Sequence, residues 1–83
     1  MMRILFFGRL GEAAGGGEMR VDPPTGVDDI AALRDWLAQR DPALAEALAA
    51  RGVRTALDQA FCGDNAKIAG AQEIAFMSPL SGG

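Results

Sequence analysis

Apolar residues alternate with a period of two near both ends of the chain and recur at helical spacing in between. Met2 to Gly8 reads Met-Arg-Ile-Leu-Phe-Phe-Gly, a short run rich in strand formers, which predicts a strand. Alternation places Ile4 and Phe6 on one side and Leu5 and Phe7 on the other. Both sides are apolar beyond Arg3, so this strand is either central in a sheet covered on both faces or part of a partner surface. Gly11 to Gly17 is expected to be a loop, with Gly15-Gly16-Gly17 suited to a turn that needs positive φ. Glu18 to Asp22 alternates again, with Met19 and Val21 sharing a side. It reads as the return strand of a hairpin, ended by Pro23-Pro24.

From Asp28 the period lengthens. Ile30, Leu33 and Leu37 form one stripe with Trp36 beside it, predicting a helix over Asp28 to Arg40. Thr25 or Asp28 is the candidate N-cap, and Asp29 suits the positive end of the helix dipole. Asp41-Pro42 reads as a second N-cap followed by proline at the first helical position. It opens a short Ala/Leu helix to Ala50 that Gly52 stops. Val53 to Leu57 then returns to alternation, with Val53, Thr55 and Leu57 on one side. A second extended piece lies near Ala60 to Cys62, followed by a Gly63-Asp64-Asn65 turn. Glu73 to Met77 is the last strand, with Ile74 and Phe76 facing one way and Ala75 and Met77 the other. A hairpin, one main helix and later strands make an α+β domain. Residues 1–77 form the domain and residues 78–83 a flexible tail.

Composition removes most kinds of chemistry. The 83 residues contain no His and no Tyr, and Cys62 is the one cysteine. Triads and proton shuttles built on His are therefore absent, as are zinc clusters, internal disulfides and CxxC motifs. A formal net charge of −3 with eight scattered basic residues argues against a nucleic-acid surface. No run has the length of a membrane span and the start lacks a signal-peptide pattern, so a cytoplasmic location is expected. A chain this short holds a small core rather than a deep cleft. Gly15-Gly16-Gly17 is not followed by Lys-Ser or Lys-Thr and leads into a strand, which favours a turn over a phosphate cradle. Cys62 has no His to form a thiolate and reads as a small hydrophobe. The scattered carboxylates, such as Asp28, Asp29, Asp35, Asp58 and Asp64, read as solvated helix ends and turns.

Two features remain. One helix covers one face of a sheet, so Leu5, Phe7 and Met77 lie on the other, where Phe61 can join them. An exposed apolar patch of this kind marks a binding site, unless the short helix or a loop covers it. The second feature is the ending, Ser78-Pro79-Leu80-Ser81-Gly82-Gly83. These residues reach about 20 Å when stretched. The last two lack Cβ atoms and can thread a narrow channel. The α-carboxylate they present, with a typical pKa of about 3.3–3.7, is ionised at neutral pH and can attack an activated phosphate.

These residues resemble the small, sulfur-carrying subunit of molybdopterin synthase, a family with the ubiquitin-like β-grasp fold. The resemblance spans nearly the whole chain. It rests on Ile4-Leu5-Phe6-Phe7, on the Pro24-Thr25 entry to a Leu-rich helix, and on Glu73 through Met77 followed by Ser78-Pro79-Leu80-Ser81-Gly82-Gly83. It implies a mixed sheet of four to five strands on one main helix. It also implies a carrier cycle in place of catalysis by this chain. A ubiquitin-activating-like enzyme consumes ATP to adenylate Gly83, a sulfur donor converts the adenylate to a thiocarboxylate, and the sulfur passes to a pterin precursor. That last step occurs on the large synthase subunit, in an expected heterotetramer. No cofactor is expected to be permanently bound. In this reading Gly83 carries the reacting group, Ser81 and Gly82 belong to the tail with Gly82 supplying a thin, flexible approach, and Phe7, Phe61, Met77, Pro79 and Leu80 face the partner. The chain departs from the family at Phe76-Met77-Ser78-Pro79, where two aromatics and two prolines are common. It departs again at Asp58, where Asn is common. Related carriers for thiamine, tRNA thiolation or cysteine synthesis are the alternatives, as is a β-grasp interaction module with an inert tail.

Overall fold

The computed structural model describes residues 1–79. The chain runs β1 (Met2–Phe7), α1 (Arg9–Ala14), β2 (Glu18–Val21), α2 (Ile30–Arg40), α3 (Pro42–Leu48), β3 (Arg54–Leu57), β4 (Ala60–Cys62) and β5 (Glu73–Met77). The strands form one five-stranded sheet in the order β2-β1-β5-β3-β4. The first and last strands lie side by side and parallel at its centre, with Ile4 opposite Ile74 and Phe6 opposite Phe76. Every other pairing is antiparallel. This is the β-grasp arrangement expected from the resemblance.

The sheet buries one face under the helices. Ile4, Phe6, Ile74 and Phe76 meet Ile30, Leu33 and Leu37 of α2, Leu44 and Leu48 of α3, and Leu10 of α1 in a single core. The Phe6 and Phe76 rings stack at 6.0 Å between centroids, a separation typical of favourable aromatic pairs. The alternation read from sequence in β1 and β5 holds residue by residue. The N-cap of α2 is neither Thr25 nor Asp28 but Asp29, whose carboxylate accepts from the Ala32 amide at 2.9 Å. Asp41 caps α3 in the same way, accepting from Ala43 at 2.9 Å, with Pro42 in the first turn.

The expected loop over Gly11 to Gly17 is corrected. Arg9–Ala14 is helical, and only the Gly15-Gly16-Gly17 part is a turn, with Gly15 left-handed at φ 80. The helix is too short to show a hydrophobic period, and Gly11 inside it lowers its propensity. Packing selects it instead. Leu10 is 1% exposed, and a Cβ on Gly11 would lie 3.3 Å from the Phe6 carbonyl oxygen. That glycine lets the helix sit close against β1.

The β3–β4 hairpin turns through Asp58 and Gln59, both at positive φ (47 and 72), as a two-residue primed turn requires. Asp58 then ties the hairpin to β5. Its Oδ1 accepts from the Gln72 amide at 3.0 Å and the Glu73 amide at 2.9 Å, and its own amide donates to the Glu73 carbonyl at 2.8 Å. Asp58→Ala loses both side-chain bonds and places a Cβ residue without local compensation in a left-handed turn. It is expected to lower stability by about 1–2 kcal/mol in urea denaturation. Asp58→Asn, which keeps an acceptor oxygen and tolerates that conformation, is expected to stay within about 0.5 kcal/mol of the parent. Equal midpoints for Ala and the parent would refute the tie.

Candidate functional site

The face of the sheet opposite the helices is laid out by strand register. Leu5 of β1 pairs with Ala75 of β5, Ala75 with Ala56 of β3, and Ala56 with Phe61 of β4, giving one apolar row across four strands. The next row holds Phe7, Met77 and Arg54. On the other side of the apolar row, Arg3 sits opposite Glu73 and bonds it at 2.6 Å. Because all these residues differ by even numbers along their strands, they share a side. Phe7 is 49% exposed and Phe61 63%, while Met77 is half-buried. The short helix does not cover this face, since Leu44 and Leu48 of α3 pack into the core on the other. A shallow depression of about 330 Å³ lies among Phe7, Ala56, Phe61, Glu73, Ala75 and Met77.

One cation stands in this patch. The Arg54 guanidinium lies 4.3 Å from the centre of the Phe61 ring, a cation–π distance. It holds the exposed aromatic ring in place and leaves a positive group beside Met77. The patch is thus apolar at its centre and charged at its edges. Such a layout matches protein–protein interfaces, whose middle is apolar and whose rim is polar.

The root of the tail lies at the end of the Phe7–Met77 row. Ser78 Oγ accepts from the Arg9 amide at 3.1 Å and donates to the Phe7 carbonyl at 3.2 Å. Pro79 follows, exposed, against Gly52 at the end of the α3–β3 connection. Beside it is a groove of about 440 Å³ lined by Arg9, Leu10, Ala47, Ala50, Arg51 and Pro79, with Glu46 also on its wall. Phe7, Phe61 and Met77 therefore share one face, and Pro79 lies beyond its end. Leu80, Ser81, Gly82 and Gly83 lie outside the described residues. The partners of Ser78 have no sequence signature. Phe7 and Arg9 are 71 and 69 positions away, and the parallel pairing of the first and last strands brings them together. None of the described helices is long and apolar enough to cross a membrane.

Cys62 sits on the core side of β4, opposite Thr55, and packs against the core. Burial pushes its thiol pKa up, and the nearby Asp64 carboxylate adds to the shift. Both effects disfavour the thiolate. A raised pKa keeps the folded thiol protonated at a pH where an unfolded chain has begun to ionise. The contribution to stability is complete below the unfolded value and declines as pH rises through the folded one. Iodoacetamide labelling of Cys62 is expected to be slower than that of a free thiol at pH 8. Its pH profile should be displaced upward from about 8.5, the ordinary thiol value. Asp64→Asn is expected to move that profile only part of the way back, because burial is the larger cause. A profile at or below the ordinary value would exclude this account.

The comparisons bear on the family and the fold. The ThiS family profile matches residues 4–83. The crystal structure of SAMP1 from Haloferax volcanii superposes with a TM-score of 0.81 at 25% identity, covering 99% of this chain and 98% of that one. A second crystal structure, of H. volcanii small archaeal modifier protein 1, has a TM-score of 0.80 at 22% identity and covers 95% and 97%. No curated protein sequence matches the chain.

Proposed function

Because the chain belongs to the ThiS family, we propose that it is a sulfur carrier whose working group is the α-carboxylate of Gly83. The observation that carries this reading is the extent of the family match, which runs through the final Gly82-Gly83. The chemistry fits a chain with no His and one protonated Cys. The Gly83 carboxylate attacks the α-phosphorus of ATP on an activating enzyme, releasing pyrophosphate and leaving an acyl-adenylate. A sulfur nucleophile then displaces AMP and leaves a thiocarboxylate. No side chain of the carrier takes part, and ATP is spent by the partner rather than held as a cofactor. In this reading Gly82, without a Cβ, makes the approach thin enough for a nucleotide site, and Pro79 and Leu80 face the partner.

The finer assignment is to molybdopterin formation. Ile4-Leu5-Phe6-Phe7 and the Glu73–Gly83 ending support it, since they resemble the small subunit of molybdopterin synthase. In that reading the large synthase subunit receives the patch of Phe7, Phe61 and Met77, and the thiocarboxylate gives its sulfur to a pterin precursor. A second reading is favoured by the likeness to SAMP1, a protein named as a modifier. There the acyl-adenylate ends in an amide with a lysine amine of another protein in place of a thiocarboxylate.

Intact-mass measurement after incubation with an activating enzyme from the same source, ATP and a sulfur donor separates these outcomes. Exchange of one oxygen for sulfur, abolished by deletion of Gly83, is the expected result. Covalent adducts on other proteins without the sulfur exchange would favour the modifier. An unchanged mass with every such enzyme would favour an inert interaction module. Binding then tests the face. Phe7→Lys or Met77→Lys places a charge in the apolar rows and is expected to weaken capture of the large synthase subunit at least about tenfold. Circular dichroism should remain that of the parent. Unchanged affinity in both variants would remove the face from the docking role.

A further inference from the structure

Three glycine and side-chain contacts converge where β5 ends. Gly8 joins β1 to α1 at φ 65 and ψ −140, a combination that only glycine adopts without strain. A Cβ on Gly8 would overlap the Ser78 hydroxyl oxygen. That hydroxyl bonds the backbone on both sides of Gly8, accepting from Arg9 and donating to Phe7. One residue further along the tail, Gly52, at φ 87, leaves room for Pro79. A Cβ there would lie 2.7 Å from Pro79 Cγ. Two bare backbone positions from distant parts of the chain thus seat two successive residues, Gly8 beside Ser78 and Gly52 beside Pro79.

We propose that this seat is a positioning device for the C-terminal carboxylate, with Ser78 as the residue that fastens the chain in it. The proposal rests on the carrier reading and deepens it. Four residues follow Pro79, and they reach at most about 14 Å. If the chain came free after Met77, six residues would sweep about 20 Å. The clasp therefore shortens the length of chain between the last fastened residue and the carboxylate, and fixes where that length begins, one step beyond Phe7 and Met77. A partner seated on that row meets the tail root at a set distance from its own reacting centre. Ordering already done in the free carrier need not be done in the complex. Ser78 touches no reacting atom, so its effect passes through where the tail begins.

The position of Ser78 also separates two kinds of defect. Docking of the domain depends on the sheet face and governs the concentration of carrier needed. Delivery of the tail governs turnover once the complex has formed. Ser78→Ala removes both hydrogen bonds and leaves the face intact. Adenylation by the activating enzyme, followed by pyrophosphate release, is expected to show kcat reduced about 3- to 10-fold with KM for the carrier within about twofold of the parent. Ser78→Thr keeps the hydroxyl and is expected to restore kcat. Phe7→Lys provides the contrast, raising KM. Thermal melts report whether each variant is folded, and faster amide exchange at Arg9 in Ser78→Ala reports that the clasp has opened. A parent-like kcat for Ser78→Ala with exchange at Arg9 accelerated would overturn the positioning role and leave the carrier reading standing. A kcat as low in Ser78→Thr as in Ser78→Ala would overturn it as well. Failure of the parent chain itself to be adenylated would overturn both.

Discussion

The parallel pairing of β1 with β5 is the constraint on which the rest depends. It joins the first strand of the chain to the last, and its register sets four alignments together. Ile4 meets Ile74 and Phe6 meets Phe76 on the core side, and Leu5 meets Ala75 and Phe7 meets Met77 on the open side. A parallel pair needs a long crossover, and here the crossover is nearly the whole domain, including all three helices. A slip of one residue would send Phe6 or Phe76 outward and turn Phe7 or Met77 into the core. The core and the candidate docking face are thus two sides of one registration, and neither can shift register without the other. The same register carries Gly8 alongside Ser78, one step beyond Phe7 and Met77.

Much of this was legible because the signals are local. Alternation in Ile4-Leu5-Phe6-Phe7 and in Ile74-Ala75-Phe76-Met77 assigns residues to faces without knowledge of strand order. The stripe of Ile30, Leu33 and Leu37 marks its helix, and Asp41-Pro42 marks the start of the next. What escaped the sequence depends on contacts between distant segments. The six-residue helix α1 exists because Leu10 has a core to enter and Gly11 a strand to approach. Asp29 caps α2 in place of Asp28 because the chain is already extended there, bridged to Lys67. A local pattern offers adjacent aspartates equally and leaves the choice to tertiary structure. Asp58 reads as an ordinary solvated turn residue until β5 is placed beside it. Its carboxylate then proves to hold the Gln72 and Glu73 amides. The Ser78 clasp belongs with these, since neither its glycines nor its serine is unusual in isolation.

The composition of the chain gains a physical meaning from the fold. A domain without His and with its single thiol held in the protonated form has little reactive machinery of its own. In the proposed reading the reacting group sits at the chain terminus, which removes the need for a buried, polar active site, and so for the unpaired charges that a small core tolerates poorly. The domain can devote its interior to apolar packing. Two of its polar features, the Arg3–Glu73 pair and the Arg54–Phe61 contact, lie on the open face. Both occupy the flanks of the apolar row, where they can set orientation without crossing its centre.

Orientation and delivery then fall to different parts of one surface. Burial of an apolar face is non-directional, and by itself it fixes only that two bodies touch. Charged groups at its rim restrict how they touch, because a misplaced charge against an apolar surface is costly. Neither of these controls a chain end that begins beyond the patch. A tail hinged freely at Met77 would make its position independent of the docked face, however well that face fitted. The bonds of Ser78 to the residues flanking Gly8, and the seat of Pro79 on Gly52, attach the start of the tail to the same strand that presents Phe7. In the proposed reading, recognition of the face therefore also locates the tail root, and the Ser78 bonds couple the two.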